Sequence, residues 1–165
     1  MVIFGVEHPL LTPAIKDHNN KAEKERSVCQ QRSCFIVDIS SLSLVRITGI
    51  VCTGSAAYIL SSCGAVHSWG NNSGHGANCN PNQPARIETL APFKVTDMDA
   101  GSGHVLCCDT AGTVFSWGSG TGLGHGDQVR DLRTPTVVEC LRGRRVVQVA
   151  CSDTNSFAVT SDKEL

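Results

Sequence analysis

The sequence has few aromatic and charged residues and no long hydrophobic run. Of its 165 residues, 5% are aromatic and 18% are charged, and the charged share lies below the quarter that is usual in soluble domains. No run of 18 apolar residues is present, so no transmembrane helix is predicted. The formal net charge of −1 gives no overall attraction to nucleic acid or to an anionic membrane surface. We therefore predict no membrane insertion and no nucleic-acid or chromatin binding by this segment.

The nine cysteines show no metal-binding spacing. None of them forms a C-x-x-C pair, so no zinc site is predicted. The first residues lack the basic region of a secretory signal, and Glu7 and Pro9 interrupt their apolar run. A reducing intracellular compartment is therefore predicted, cytoplasmic with nuclear as the alternative. Most of the thiols are then expected to be small buried side chains rather than disulfide partners.

Both tryptophans lie in the tripeptide Ser-Trp-Gly, and they are 48 residues apart. At that shift Trp69-Gly70 coincides with Trp117-Gly118, and apolar positions before and after the tripeptide coincide as well. At a second shift of 51 residues, the apolar positions of residues 84–98 fall on those of residues 135–149. A register that is kept over three copies indicates a repeat protein.

Each copy contains short runs with strand character between turn residues. The segments KVTDMDAG (94–101), HVLCCD (104–109) and TVFSWG (113–118) have about the usual strand length of 6 residues. Gly112 precedes the last of them, at a hairpin position that requires a positive φ. Four such strands with their loops need roughly 45–50 residues, which matches the repeat length.

These features predict an all-β fold, a partial β-propeller of four-stranded antiparallel blades. In residues 113–117, Phe115 and Trp117 share one face of the strand, whereas Val114 and Ser116 share the other. Because one blade cannot cover both of its faces, the tryptophan position is predicted to be buried between successive blades. The glycine after each tryptophan is expected to let the chain leave the strand sharply.

The combination of these motifs resembles the repeat of the regulator of chromosome condensation, whose members are seven-bladed propellers. The resemblance covers about residues 36–165, and the first copy departs from the pattern with Thr53 and Ala56 where Gly and His are expected. The repeat signature consists of Trp69, Gly70, Gly101, His104, Gly112, Trp117, Gly118, Leu123, Gly124 and Gly126. The resemblance implies that these residues have structural roles.

The same resemblance implies a domain organisation. Residues 1–15 are assigned to the end of a preceding blade and residues 16–33 to a polar, charged insertion loop. Residues 34–165 are assigned to about two and a half propeller repeats, truncated inside the last blade. The chain is thus expected to pair with the remaining blades of a larger propeller. By itself it is expected to self-associate through the strand edge at residues 156–160.

No catalytic residue, cofactor or metal site is predicted. The glycine-rich segment GSGTGLGHGD (118–127) lacks the spacing of a phosphate-binding loop and reads as turn structure. His104 has no serine or cysteine nucleophile with an orienting acid beside it in the pattern. The chain is therefore not expected to be an enzyme itself.

Two charged clusters are the candidate partner surface. One belongs to a polar loop predicted over residues 125–133, and the other is the turn RGRR. The residues are Asp127, Arg130, Asp131, Arg133, Arg142, Arg144 and Arg145. An arginine cluster can bind an acidic partner, or it can be a solvated turn.

The resemblance implies a protein-interaction module that recognises a partner protein such as a small GTPase. One alternative is a guanine-nucleotide exchange factor, in which the propeller displaces the nucleotide without catalytic side chains. The other is the recognition propeller of a HECT-type ubiquitin ligase, whose catalytic cysteine lies in another domain. The sequence that continues after Leu165 would distinguish these alternatives.

Overall fold

The computed structural model describes residues 2–4, 34–36, 46–76 and 83–161. The chain forms two compact units, residues 1–43 and residues 44–165. In the first unit, β1 (Val2–Phe4) pairs antiparallel with β2 (Cys34–Ile36). The predicted insertion loop at 16–33 lies outside the described residues.

The second unit is built from antiparallel sheets whose strands pair in chain order. The first blade comprises β3 (Ile47–Cys52), β4 (Ala56–Ser61), β5 (Val66–Gly70) and β6 (Ala85–Arg86). The second blade comprises β7 (Val95–Ala100), β8 (His104–Asp109), β9 (Val114–Ser119) and β10 (Asp131–Val137). A third sheet pairs β11 (Val146–Cys151) with β12 (Ser156–Thr160), and 3₁₀ turns at Glu88–Leu90 and Glu139–Leu141 precede β7 and β11. The predicted all-β fold with four-stranded antiparallel blades is confirmed.

The blades repeat one another in register as well as in strand order. Trp69 pairs with Ala57 in the first blade, and Trp117 pairs with Val105 in the second. The first hairpin of each sheet also carries a register shift at the same place, directly after the first paired residue of β3, β7 and β11. A bulge that recurs at one position is a feature of the repeat.

The core lies between successive sheets, as the alternation of side chains predicts. Trp117 and Phe115 are buried with Tyr58 of the first blade, and the rings of Tyr58 and Trp117 meet edge to face with centroids 5.7 Å apart. On the opposite face of the second blade, Val114 packs with Val149 of β11. Successive blades therefore cover each other through these two clusters.

The glycine after tryptophan ends its strand in the first blade only. β5 ends at Gly70, as predicted, whereas β9 continues through Gly118 to Ser119, so the chain does not leave the second sheet at this glycine. Gly118 has a φ of +103°, and a Cβ at this position would collide with the carbonyl oxygen of Gly103. The close approach of two backbones therefore excludes a side chain. Gly112 has a φ of +85°, as expected for its hairpin turn.

Among the six cysteines whose side chains the structure describes, all free, Cys107 and Cys108 are buried, whereas the others lie at turns or strand ends and are exposed or half-buried.

One further expectation is wrong. The polar loop predicted over 125–133 ends at residue 130, because Asp131 and Arg133 belong to β10. There, exposed Asp131 and Arg133 flank the partly buried Leu132, which is the alternation of a strand.

Candidate functional site

The charged loop, residues 120–130 between β9 and β10, carries exposed Asp127 and Arg130 on an anchored backbone. Leu123 is buried at its base, and the fully buried Ser116 of β9 donates its hydroxyl proton to the carbonyl of Leu123 over 2.6 Å. His125 Nε2 lies 2.9 Å from the same hydroxyl oxygen. Because that hydroxyl has only one proton, Nε2 is the donor in this second bond.

The first blade repeats this anchor. Ser68 donates to the carbonyl of Ser73 over 2.6 Å, and His75 Nε2 lies 2.9 Å from the Ser68 hydroxyl. Each serine–histidine pair thus holds the start of a loop, and the serine proton points at a carbonyl rather than at the imidazole. This arrangement does not activate a nucleophile. The sequence signal, a histidine seven or nine residues after the serine of Ser-Trp-Gly, was missed.

Further bonds fix the other parts of the charged loop. The amide of Gly120 donates to the carbonyl of Arg130 over 3.0 Å and closes the loop at its base. Thr121 Oγ1 donates to the carbonyl of Thr154, next to β12, over 3.1 Å. The exposed side chains of Asp127 and Arg130 are therefore carried on a backbone that is ordered before any partner binds.

Asp131 and Arg133 continue the charged surface along β10. They form a long, exposed ion pair of 3.8 Å, which is worth little by itself. Asn72 of the first blade donates to Asp131 over 3.3 Å, and the amide of Gly76 donates to the carbonyl of Arg133 over 3.1 Å. The structure thus brings these two residues to the charged loop and beside the loop of the neighbouring blade.

The arginine turn, residues 142–145, is not part of that surface. It follows Val137, the last residue of β10, whereas the charged loop precedes the first residue, Asp131. All three arginines are exposed. The predicted partner surface therefore divides into two separate patches at opposite ends of β10.

His104 is buried at the junction of the second blade and β12. Its Nε2 lies 2.9 Å from the hydroxyl of Ser156, which donates to the carbonyl of Gly122 over 2.6 Å. A Cβ on Gly101 or Gly122 would collide with the imidazole ring, so both glycines make room for it. Burial lowers the pKa of His104, which favours the neutral ring.

Two carboxylates of β7, which the sequence did not single out, bind the next sheet. Asp97 accepts the amide of Val149 over 2.8 Å, and Asp99 accepts the amide of Cys151 over 2.7 Å. Both amides belong to β11, so the acidic side chains extend the hydrogen bonding of one sheet to its neighbour. Both carboxylates are therefore used to hold β7 and β11 together.

Among the thiols that the structure describes, burial opposes ionisation of those in the core. Burial raises the pKa of Cys107 and of Cys108, and burial together with the charge of Asp99 raises the pKa of Cys151 to about 11. The hydroxyl of Ser61 lowers the pKa of the exposed Cys63. Within the described ranges, no group of three or more His, Cys, Asp or Glu side chains has a geometry that could hold a metal ion. In the same part of the chain, no helix has the length and apolar character needed to span a membrane.

Comparison with known proteins identifies the repeat. The model of the regulator of chromosome condensation (RCC1) repeat matches residues 63–108 and 111–159. The human E3 ubiquitin-protein ligase HERC2 is 38% identical over 117 residues, which cover 66% of this chain and 2% of HERC2. The chain therefore spans only a small part of this relative.

Solved structures share the fold. Human WBSCR16 matches with a TM-score of 0.62 and 19% identity over 79% of this chain and 35% of that one. Yeast RCC1 (Prp20), bound to Kap60, matches with a TM-score of 0.61 and 19% identity over 81% of this chain and 34% of that one. Prp20p of Saccharomyces cerevisiae was studied together with its binding to Gsp1p and histones. It matches with a TM-score of 0.55 and 19% identity over 78% of this chain and 32% of that one. The partial β-propeller fold is confirmed, and the chain covers about a third of each of these structures.

Proposed function

The chain belongs to the regulator of chromosome condensation (RCC1) repeat family, and we propose that it is a protein-interaction module that recognises a partner protein such as a small GTPase. The blades supply the scaffold, and the exposed charges of the loop and of β10 supply the contact. Because this chain covers only a small share of the length of its relatives, the activity of the whole protein is also proposed rather than established.

One observation carries the proposal: exposed charges stand on a loop that buried hydrogen bonds have already ordered. Ser116 and Thr121 fix its backbone, while Asp127 and Arg130 point to solvent. A partner that binds such a loop does not have to order it, so more of the contact energy appears as affinity. Opposite charges set side by side also favour a partner with a complementary charge pattern.

The relatives support two candidate functions. Prp20p is described as binding Gsp1p and histones, both of them proteins. HERC2 is named as an E3 ubiquitin-protein ligase, and its similarity to this chain favours a recognition propeller of a HECT-type ligase as the second candidate function. Nucleotide exchange on a small GTPase remains a narrower form of the first candidate.

The test measures binding of the full chain to Gsp1p, to a panel of purified small GTPases and to histones, by biolayer interferometry. Release of fluorescent GDP from the GTPases is followed in parallel. We expect a saturable complex with a GTPase that weakens when both loop charges are reversed, Asp127→Lys with Arg130→Glu. Reversing the exposed charge of Asp153, which lies outside the charged loop, is the matched control and is expected to leave binding unchanged.

The outcomes separate the candidates. Faster GDP release would support exchange, and binding without release would support recognition alone. Binding to histones but to no GTPase would support a protein-interaction module whose partner is not a small GTPase. If no protein binds, or if the loop variant and the Asp153→Lys control bind equally, the charged loop is not the contact surface.

A further inference from the structure

One basic side chain recurs at the same position of each repeat. Arg46, Lys94 and Arg145 directly precede β3, β7 and β11, the first strand of each sheet. All three residues are exposed. Because the repeats follow one another in register, these residues lie along the same edge of successive sheets, and we call them the basic rim.

The backbone of the basic rim is held in the same way in each repeat. Each rim carbonyl accepts the amide that directly follows the second strand of its own sheet, over 2.8 to 3.0 Å. The residue after Lys94 donates its amide to the carbonyl of Gly64 over 3.1 Å, in the hairpin of the preceding blade. The residue after Arg145 donates in the same way to Gly112 over 3.3 Å. The fold therefore uses the backbone of these residues and not their charged groups.

The charged groups of the basic rim outnumber the acidic groups that face them. In the part of the chain that the structure describes, no rim side chain takes part in an ion pair or a hydrogen bond. The residues that pair with the first position of the three leading strands are Ser61, Asp109 and Thr160. Asp109 accepts the amides of residues 111 and 113 over 2.9 Å each, so its carboxylate is bound to its own hairpin. Three cations thus stand against one carboxylate, a formal excess of two positive charges.

Other acidic residues near these turns do not cancel that excess. Glu139 forms an ion pair of 2.9 Å with Arg142. Glu88 is exposed and follows the exposed Arg86 by two residues, so the charges of that short segment offset each other. The two carboxylates of β7 accept amides of β11. The basic rim therefore keeps its positive charge.

We propose that the basic rim binds an extended acidic segment of a partner protein, with one carboxylate opposite each cation. Arginine binds a carboxylate through two parallel hydrogen bonds, whereas lysine binds it as a point charge. The proposal rests on the proposed function, because it gives the chemistry of a partner for a protein-interaction module.

The spacing of the blades indicates the form of this segment. Sheets that pack face to face lie about 10 Å apart. A polyproline II segment has three residues per turn and a rise of about 3.1 Å per residue, so every third side chain lies on one side of it at intervals of roughly 9 Å. Carboxylates at every third position of such a segment therefore match cations on successive blades.

The test is a fluorescence-anisotropy titration of the full chain with a labelled dodecapeptide of four Glu-Pro-Pro repeats at low ionic strength. Arg46→Gln, Lys94→Gln and Arg145→Gln are each expected to weaken binding about threefold, and the triple variant about tenfold or more, because exposed charge pairs are lost. Asn71→Asp is the matched control. It changes the net charge by the same amount as each single substitution, but it follows β5 at the end away from the β4–β5 hairpin. Circular dichroism melting of all variants checks that the fold is intact.

Two further measurements use the wild-type chain. A peptide of the same composition with its four glutamates adjacent is expected to bind more weakly than the periodic peptide, because its carboxylates do not reach successive blades. Raising the salt concentration is expected to weaken the complex with the periodic peptide, because the charges at the rim are exposed to solvent.

Four results would overturn the proposal: no binding of the periodic peptide, binding that does not depend on salt, equal binding by the triple variant and the Asn71→Asp control, or equal binding of the two peptides. Tighter binding of a single-stranded oligonucleotide of equal charge would also overturn it, in favour of nucleic acid. If the chain binds a small GTPase but not the peptide, only the inference about the basic rim fails. If it binds the peptide but no GTPase, only the proposed GTPase partner fails.

Discussion

At the scale of single residues, the serine of Ser-Trp-Gly is a loop anchor. Ser116 is fully buried, and its hydroxyl satisfies the carbonyl of Leu123 while accepting a bond from His125. Ser116→Ala is expected to destabilise the chain by ~1–3 kcal/mol, because a buried carbonyl loses its donor. Chemical denaturation followed by tryptophan fluorescence measures this difference.

The control for this prediction lies in the same strand. Ser119 is exposed, and Ser119→Ala is expected to change stability by no more than about 0.5 kcal/mol. Equal effects of the two substitutions would show that the buried hydroxyl does not anchor the loop.

His104 makes stability depend on pH in a defined direction. Burial lowers its pKa from the ordinary value of 6.5 in the folded chain. Below that value the unfolded chain takes up a proton that the buried ring resists, so protonation favours unfolding. Stability is therefore fully present above pH 6.5 and falls as the pH drops toward the lowered pKa of the folded state. His67, whose pKa burial also lowers, contributes in the same direction.

When the pH falls from neutral to mildly acidic, the melting temperature of His104→Gln is expected to drop less than that of the wild type. Ser156→Ala removes the hydrogen-bond partner of Nε2 but keeps the histidine. It is expected to lower the melting temperature throughout and to retain the pH dependence. An unchanged pH dependence in His104→Gln would refute this role.

At the scale of elements, two carboxylates fasten β11 to β7. The amide of Val149 binds Asp97, and the amide of Cys151 binds Asp99. Asp99→Ala is expected to speed hydrogen exchange at the amide of Cys151 more than at Val149, and Asp97→Ala to do the reverse. Bonds to a charged acceptor are worth about 1.5–3 kcal/mol, so the loss is large enough for exchange measured by NMR.

A side-chain amide in place of the carboxylate retains an acceptor oxygen. Asp99→Asn is therefore the conservative control and is expected to restore part of the protection at Cys151. If neither alanine variant changes the exchange of its own amide, the contact between the two strands does not depend on these side chains.

The strands were predictable because their alternation follows elementary rules. The runs around β7, β8 and β9 alternate between two buried faces, and the shift of 48 residues places Trp69 and Trp117 at one position. Asp131 was assigned to a loop because charged residues favour turns, but the burial of Leu132 draws that segment into β10. A local sequence pattern contains no information about such a tertiary contact.

The parts of the candidate site that depend on distant partners could not be predicted. Asp97 and Asp99 were not singled out from the sequence, because only the packing of β11 supplies the amides that they accept. The serine of Ser-Trp-Gly was noted as part of a motif, yet its bond to a loop carbonyl follows from the path of that loop. The charged residues were found from sequence, whereas their division into two patches needed the structure.

At the scale of the whole molecule, exposed apolar side chains of the third sheet predict self-association. Phe157 occupies the position in β12 that Tyr58 occupies in β4, but it is 59% exposed, and Val147 of β11 is 48% exposed. The 165-residue chain is therefore expected to show concentration-dependent association in sedimentation velocity. Phe157→Lys is expected to reduce it, because a charge replaces the apolar contact.

Thr154→Lys is the matched control, since it adds the same charge beside β12 without removing an apolar side chain. It is expected to leave association unchanged. A chain that sediments as a monomer at every concentration would contradict the prediction.

The central claim is that successive repeats pack face to face through the tryptophan position. Tyr58 of the first blade and Trp117 of the second meet at 5.7 Å, so a double-mutant cycle with Tyr58→Ala and Trp117→Ala tests this contact directly. Trp117→Ala alone is expected to cost ~3–5 kcal/mol, whereas Arg130→Ala in the charged loop is expected to cost no more than ~0.5 kcal/mol. The account predicts a coupling energy of about 0.5–1.5 kcal/mol between Tyr58 and Trp117, as for other aromatic pairs. A coupling energy of zero, with the two effects simply adding, would contradict it.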